Sequence, residues 1–116
     1  MSPLKRPVSP DLTPVAFEVL LSLVDGPRHG YGIKLDIEAR TDGDVSLGSG
    51  TLYQAIQRLE RAGLIAARET GQTDGRRGRS YRLQPAGRLA IEEHLRRLRR
   101  SLEYARSRKL LSASKP

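Results

Sequence analysis

The sequence predicts a mainly α-helical fold that carries one small β-hairpin. Apolar residues recur at helical spacing in four separate stretches. Gly and Pro clusters punctuate those stretches, and two short strand-like segments flank an Arg- and Gly-rich stretch late in the chain. At 116 residues the chain fits one domain with a real but modest core.

Residues 1–11 (MSPLKRPVSPD) hold three prolines and no periodic apolar face, and read as a flexible basic arm. Lys5 and Arg6 are its candidates for a phosphate or minor-groove contact, beside the plain reading of an uncommitted tail. A first helix is expected over 14–24. Thr13 is its N-cap, Pro14 fits the first helical position, and Phe17, Leu20, Leu21 and Val24 form its apolar face. Asp25-Gly26-Pro27 ends it.

A second helix is expected over 30–40, with Tyr31 and Leu35 on one face and Ile33 and Ile37 on another. Tyr31 reads as a core residue whose hydroxyl could reach outward, and His29 as a structural or capping residue. Residues 41–44 are turn chemistry, and Val45–Leu47 suits a short extended piece. A third helix is expected over 50–62, with Ser49 as N-cap and Leu52, Ala55, Ile56 and Leu59 as its buried stripe. Gly63 supplies the left-handed residue after its last turn.

Strands are expected at 64–69 and 80–83, with the intervening stretch around Gly71–Arg79 flexible and basic. The last helix is expected over 85–111. Its first cap position is Gln84, which has no short capping side chain. Ile91, Leu95, Leu98, Leu102 and Ala105 form a narrow seam at alternating spacings of four and three, suited to a partner helix. Arg96, Arg97, Arg99 and Arg100 read as the solvated side of that helix. The chain thus divides into an arm (1–11), a compact unit (12–84), a dimerisation helix (85–111) and a tail (112–116).

Lys and Arg total 21 against 13 Asp and Glu, a net charge of +8, which favours an anionic partner. There is no Cys, and the two histidines, His29 and His94, are far apart in the chain. Disulfides and thiolate metal sites are excluded, and neither a metal nor a cofactor is expected. No nucleophile–base pair is visible, so an enzyme is not expected. GYGIKL and GSGTLY lack the spacing and the preceding strand of a phosphate-binding loop. With no apolar run long enough for a signal peptide or span, no membrane partner is expected and the cytoplasm is the expected location.

Three short helices, a basic hairpin and a long helix, in that order, describe a winged helix-turn-helix with a C-terminal helix. A third helix of this kind fits the major groove of double-stranded DNA. Gln54, Gln57 and Arg58 are its candidate base readers, since Gln matches adenine and Arg guanine in bidentate geometry. Ser49 and Thr51 suit capping or a phosphate bond at the helix N-terminus. Tyr53 suits a partly packed ring with its hydroxyl toward phosphate, and Arg61 a backbone or solvent position. Arg76, Arg77 and Arg79 are the hairpin's candidate phosphate contacts.

The segments LTPVAFEVLLSLVDGPRHGYGI, LGSGTLYQAIQRLERAGLI and RRGRSYRLQPAGR carry a resemblance to the PadR family of bacterial transcription regulators, over roughly residues 12–103. The single C-terminal helix resembles the short members, in which it makes the dimer. The resemblance implies a homodimeric repressor on a palindromic operator, relieved when a small-molecule effector binds. A pocket between subunits would draw on Val15, Phe17, Leu95 and Tyr104, with Phe17 also at the dimer contact. With one Phe and no Trp in the chain, large planar ligands would lack a stacking platform there. Two other functions fit the same composition: a winged-helix adaptor that binds protein, and a general nucleic-acid-coating protein.

Overall fold

The structure, a computed structural model, describes residues 11–73 and 76–111, with the backbone alone at 72, 73, 76 and 77. Residues 1–10 of the expected arm, with Lys5 and Arg6, lie outside the described residues, as does the tail at 112–116. In chain order the elements are α1 (Pro14–Ser22), β1 (Arg28–His29), α2 (Gly30–Arg40), α3 (Ser49–Arg61), β2 (Ile65–Thr73), β3 (Arg76–Leu83) and α4 (Pro85–Ser107). The strands form one antiparallel sheet in the order β1-β3-β2.

Local chemistry explains some of the helix ends. Thr13 Oγ1 accepts the Ala16 N–H at 3.0 Å, and Pro14 opens α1. α1 closes at Ser22, two residues before the expected end, where the Arg28 side chain takes the Ser22 carbonyl at 2.7 Å. Val24 is therefore outside the helix and exposed, while Val19 and Leu23 join Phe17 and Leu20 in the core. Gly63, at φ +78°, follows α3, and Leu64 N–H bonds back to the Leu59 carbonyl at 3.0 Å. α4 ends at Ser107, short of the expected 111. Lys109 takes the left-handed conformation and Leu110 N–H returns to the Ala105 carbonyl at 3.0 Å. A Lys at that position carries no glycine signal, so the stop was invisible locally.

Three further expectations are corrected. The N-cap of α3 is Gly48, not Ser49; Ser49 is the first helical residue, and no side chain caps that end. Val45–Leu47 forms no strand; Leu47 is buried and Val45 packs, partly buried, against the core. The hairpin is longer than its apolar pattern suggests. Backbone pairing continues through Gln72↔Arg77 and Thr73↔Arg76, with a register irregularity between Glu69 and Gln72, so most of the expected flexible stretch is strand. Ladder hydrogen bonds need no apolar side chains, and Gly71 at φ +78° accommodates the irregularity. β1, absent from the sequence expectations, is two residues long and exists only through its pairing with Ser80 and Tyr81 of β3.

One core unites the elements. Leu20, Ile33, Ile37, Leu52 and Ile56 are almost wholly removed from water, and Ile65, Tyr81 and Ile91 close the assembly from the sheet and α4. Gly87 sets how closely α4 docks: a Cβ there would collide with the Leu64 carbonyl oxygen and stand 2.7 Å from Leu83 Cδ1. Gln84, at the N-cap of α4, makes no side-chain capping bond.

Candidate nucleic-acid interface

The third helix presents two unlike faces because its sequence alternates with helical period. Leu52, Ile56 and Leu59 point into the core and fix the helix on α1 and α2. Ser49, Thr51, Gln54, Gln57, Arg58 and Arg61 are all exposed. Thr51, Gln54, Ala55 and Arg58 line a groove of about 350 Å³ with Asp11, Thr13, Val15 and Ala16 from the start of α1. Among the described residues no carboxylate pairs with Arg58 or Arg61, which leaves both guanidinium groups available to an outside acceptor.

Tyr53 is 42 % exposed, and its ring lies against the backbone of Gly30 at the start of α2. A Cβ at Gly30 would collide with the Tyr53 hydroxyl and stand 2.8 Å from its Cζ. Gly30 thus seats the ring where the first turns of α2 and α3 meet. Tyr31 departs from the core reading: it is 66 % exposed, because Ile33 and Ile37 take the buried side of α2. Its neighbour on that face, Leu35, is also exposed.

His29 occupies the N-cap position of α2 without a side-chain capping bond. Its Nε2 instead lies 3.0 Å from Thr70 Oγ1 on β2. On the hairpin, the side chains of Arg76 and Arg77 lie outside the described residues. Arg79 is described, and its Nη2 is 3.4 Å from Glu60 Oε2 of α3. Glu60 and Thr70 had no signal in the sequence, because their partners lie 19 and 41 residues away.

On α4, Ile91 is buried within the chain, whereas Leu95, Leu98 and Leu102 are 45 %, 45 % and 42 % exposed. Ala105 is half-buried. Phe17 lies in the core of the chain, its ring centroid 4.5 Å from that of His94. Charges between α1 and α2 are paired. Asp36 loses solvation by burial, which would raise its pKa; hydrogen bonds from Arg40 and Ser22 and the charges of Arg40 and Arg28 outweigh this and hold it below its ordinary value. Tyr81 is pushed up, chiefly by burial. No helix among the described residues is long and apolar enough to cross a membrane.

Residues 19–93 match the model of the "Transcriptional regulator PadR-like family". The chain belongs to the PadR-like family of transcriptional regulators. A transcriptional regulator of Mycobacterium tuberculosis is 34 % identical over 84 residues, 72 % of this chain and 75 % of that protein. An uncharacterized protein of a Streptomyces fradiae transposon is 43 % identical over 74 residues, 64 % of this chain, and the match spans only 20 % of that longer protein. Bacillus subtilis PadR, solved in complex with operator DNA, shares the fold at a TM-score of 0.63 and 22 % identity, over 70 % of this chain and 46 % of that one. As a PadR-like regulator the chain is a transcription factor, not an enzyme, and its four helices and small sheet are the family's winged-helix architecture.

Proposed function

We propose that this PadR-like chain is a dimeric, sequence-specific repressor that binds a palindromic operator in the cytoplasm. The observation that carries the reading is the exposed polar face of α3, bearing Thr51, Gln54, Gln57 and Arg58 on a helix whose other side is anchored by Leu52, Ile56 and Leu59. Such a helix enters the major groove with its donors aimed at base edges. Ser49 and Tyr53 bond phosphates beside it, and Arg76 and Arg77 of the hairpin bond phosphates further along. The operator complex of Bacillus subtilis PadR supports this use of the fold.

The dimer reading draws on Leu95, Leu98 and Leu102, an apolar stripe that the subunit itself leaves in water. Two copies of α4 packed along it, with Ile91 and Ala105 at its ends, would set two α3 helices on two half-sites. In this reading 12–84 holds DNA and 85–111 holds the partner, and a small-molecule effector acts between the subunits. Phe17 would contribute there through the core face it shares with His94, since the ring is already covered.

Footprinting on the DNA that flanks the chain's own gene tests the proposal. The expected result is protection of two half-sites about one helical turn apart, or a multiple of it. Protection without sequence preference would favour a coating protein, and no protection at all a protein-binding adaptor.

A further inference from the structure

Arg79 belongs to the hairpin's basic cluster, yet its guanidinium is held within the subunit. Nη2 lies 3.4 Å from Glu60 Oε2 on α3, Nε lies 3.7 Å from Glu69 Oε2 on β2, and Cζ stands 5.8 Å from the centre of the Tyr81 ring. Glu69 faces Arg79 across the ladder in the last regular pair before the irregularity between Glu69 and Gln72. At the same level His29 Nε2 meets Thr70 Oγ1 at 3.0 Å. Gly78 makes room for that contact: a Cβ there would stand 2.7 Å from Thr70 Oγ1 and 3.1 Å from His29 Nε2. Strand residues alternate between faces, so Gly78 and Arg79 point to opposite sides of β3. The hairpin is therefore gripped on both faces at the level where its ladder breaks.

We propose that Arg79 is a positioning residue: its bridge to Glu60, backed by the His29–Thr70 contact, sets the angle that the β2–β3 pair takes relative to α3. The proposal rests on the reading of α3 and the hairpin as the DNA interface. Held in place beforehand, the distal hairpin loses less conformational freedom when it meets DNA. One exposed ion pair contributes little. Two subunits on one operator multiply the effect, and the ring of Tyr81 and the carboxylate of Glu69 add to it.

Glu60→Gln separates this role from simple electrostatics. Removing a negative charge beside DNA should tighten binding if Glu60 only repels phosphate. The clamp predicts the reverse, a loss of about three- to tenfold on the operator with the salt slope unchanged. Arg79→Gln should lose a similar factor, again without change of slope, and the double variant should be no weaker than either single one. The charge exchange Glu60→Arg with Arg79→Glu should recover most of the affinity. Thermal melting of each variant checks that the fold persists. Tighter binding by Glu60→Gln overturns the proposal. So does a slope that falls by about one unit per subunit in Arg79→Gln, the mark of a phosphate contact. Wild-type protein that binds no operator overturns the interface reading and the clamp with it; wild-type binding with unweakened Glu60→Gln overturns the clamp alone.

Discussion

Arg40 of α2 grips Glu18 of α1 at two points: Nη1 lies 2.7 Å from Glu18 Oε1, and Nη2 donates to the Glu18 carbonyl oxygen at 3.0 Å. The same Nη2 reaches Ser22 Oγ at 2.8 Å, and Nε donates to Asp36 Oδ2 at 2.8 Å. One guanidinium thus fastens the first two helices to each other. Arg40→Ala removes the ion-pair partner of Glu18 and the donors to Asp36 and Ser22 Oγ, leaving Asp36 with Arg28 at 3.4 Å and Ser22 with the Glu18 carbonyl, and should cost about 1–3 kcal/mol. Arg40→Lys should recover only part, because an ammonium cannot reproduce the fork. Urea unfolding measures both; an Arg40→Ala midpoint equal to wild type would show that the hub is ornamental.

The same hub makes stability depend on acid. Burial pushes the Asp36 carboxyl up, but hydrogen bonds and the charges of Arg40 and Arg28 bring it below its ordinary 3.8. A depressed carboxyl stabilises the fold fully above its unfolded pKa, and the contribution disappears as pH falls through the folded value. Wild-type protein should lose stability as pH falls from about 5 through the ordinary carboxylate value and below it, and Asp36→Asn should be weaker at pH 7 with a flatter profile across that range. Parallel profiles for the two proteins would remove Asp36 from the account.

Leu98→Asp tests the seam without attacking the subunit, since Leu98 is 45 % exposed there. In a dimer that buries its remaining exposed part, the change forfeits roughly 1 kcal/mol of apolar burial per subunit and places a charge in the interface. Light scattering should report a folded monomer, and protection of a two-half-site operator should vanish. A folded dimer would move the interface elsewhere.

Gly30→Ala should act on the interface through Tyr53, whose ring occupies the space that the new methyl group needs. The phenol must swing away from the junction of α2 and α3. Operator affinity should fall by more than the accompanying change in melting temperature explains, and Tyr53→Phe should remove part of the difference. Unchanged affinity in Gly30→Ala would place the Tyr53 hydroxyl outside the contact.

Arg58 and Arg77 should part company in a salt titration. Arg58 stands one turn from Gln54 on a rigid helix, so Arg58→Ala should cost about 1–3 kcal/mol on the true operator and relax preference at one position. Arg77→Ala should weaken all sequences alike and lower the salt slope by about one unit per subunit. If Arg77→Ala changes base preference while Arg58→Ala changes only overall affinity, α3 does not lie in the groove as placed.

By itself the sequence determined the four helices, the stripe of α3 that faces the core, the cap at Thr13 and the stop at Gly63, and α2 matches its expected span, Gly30–Arg40. These features depend on neighbours within about one helical turn, where periodicity and capping chemistry act. Only the tertiary structure decided the rest. β1 exists because β3 lies beside it, Tyr31 is exposed because Ile33 and Ile37 claimed the core, and the hairpin lengthened because its two backbones met. Arg79 in the sequence is one more basic residue in a basic stretch. It becomes a partner of Glu60 only when the folded sheet brings the Arg79 side chain within reach of α3, across a separation of 19 residues that no local pattern spans.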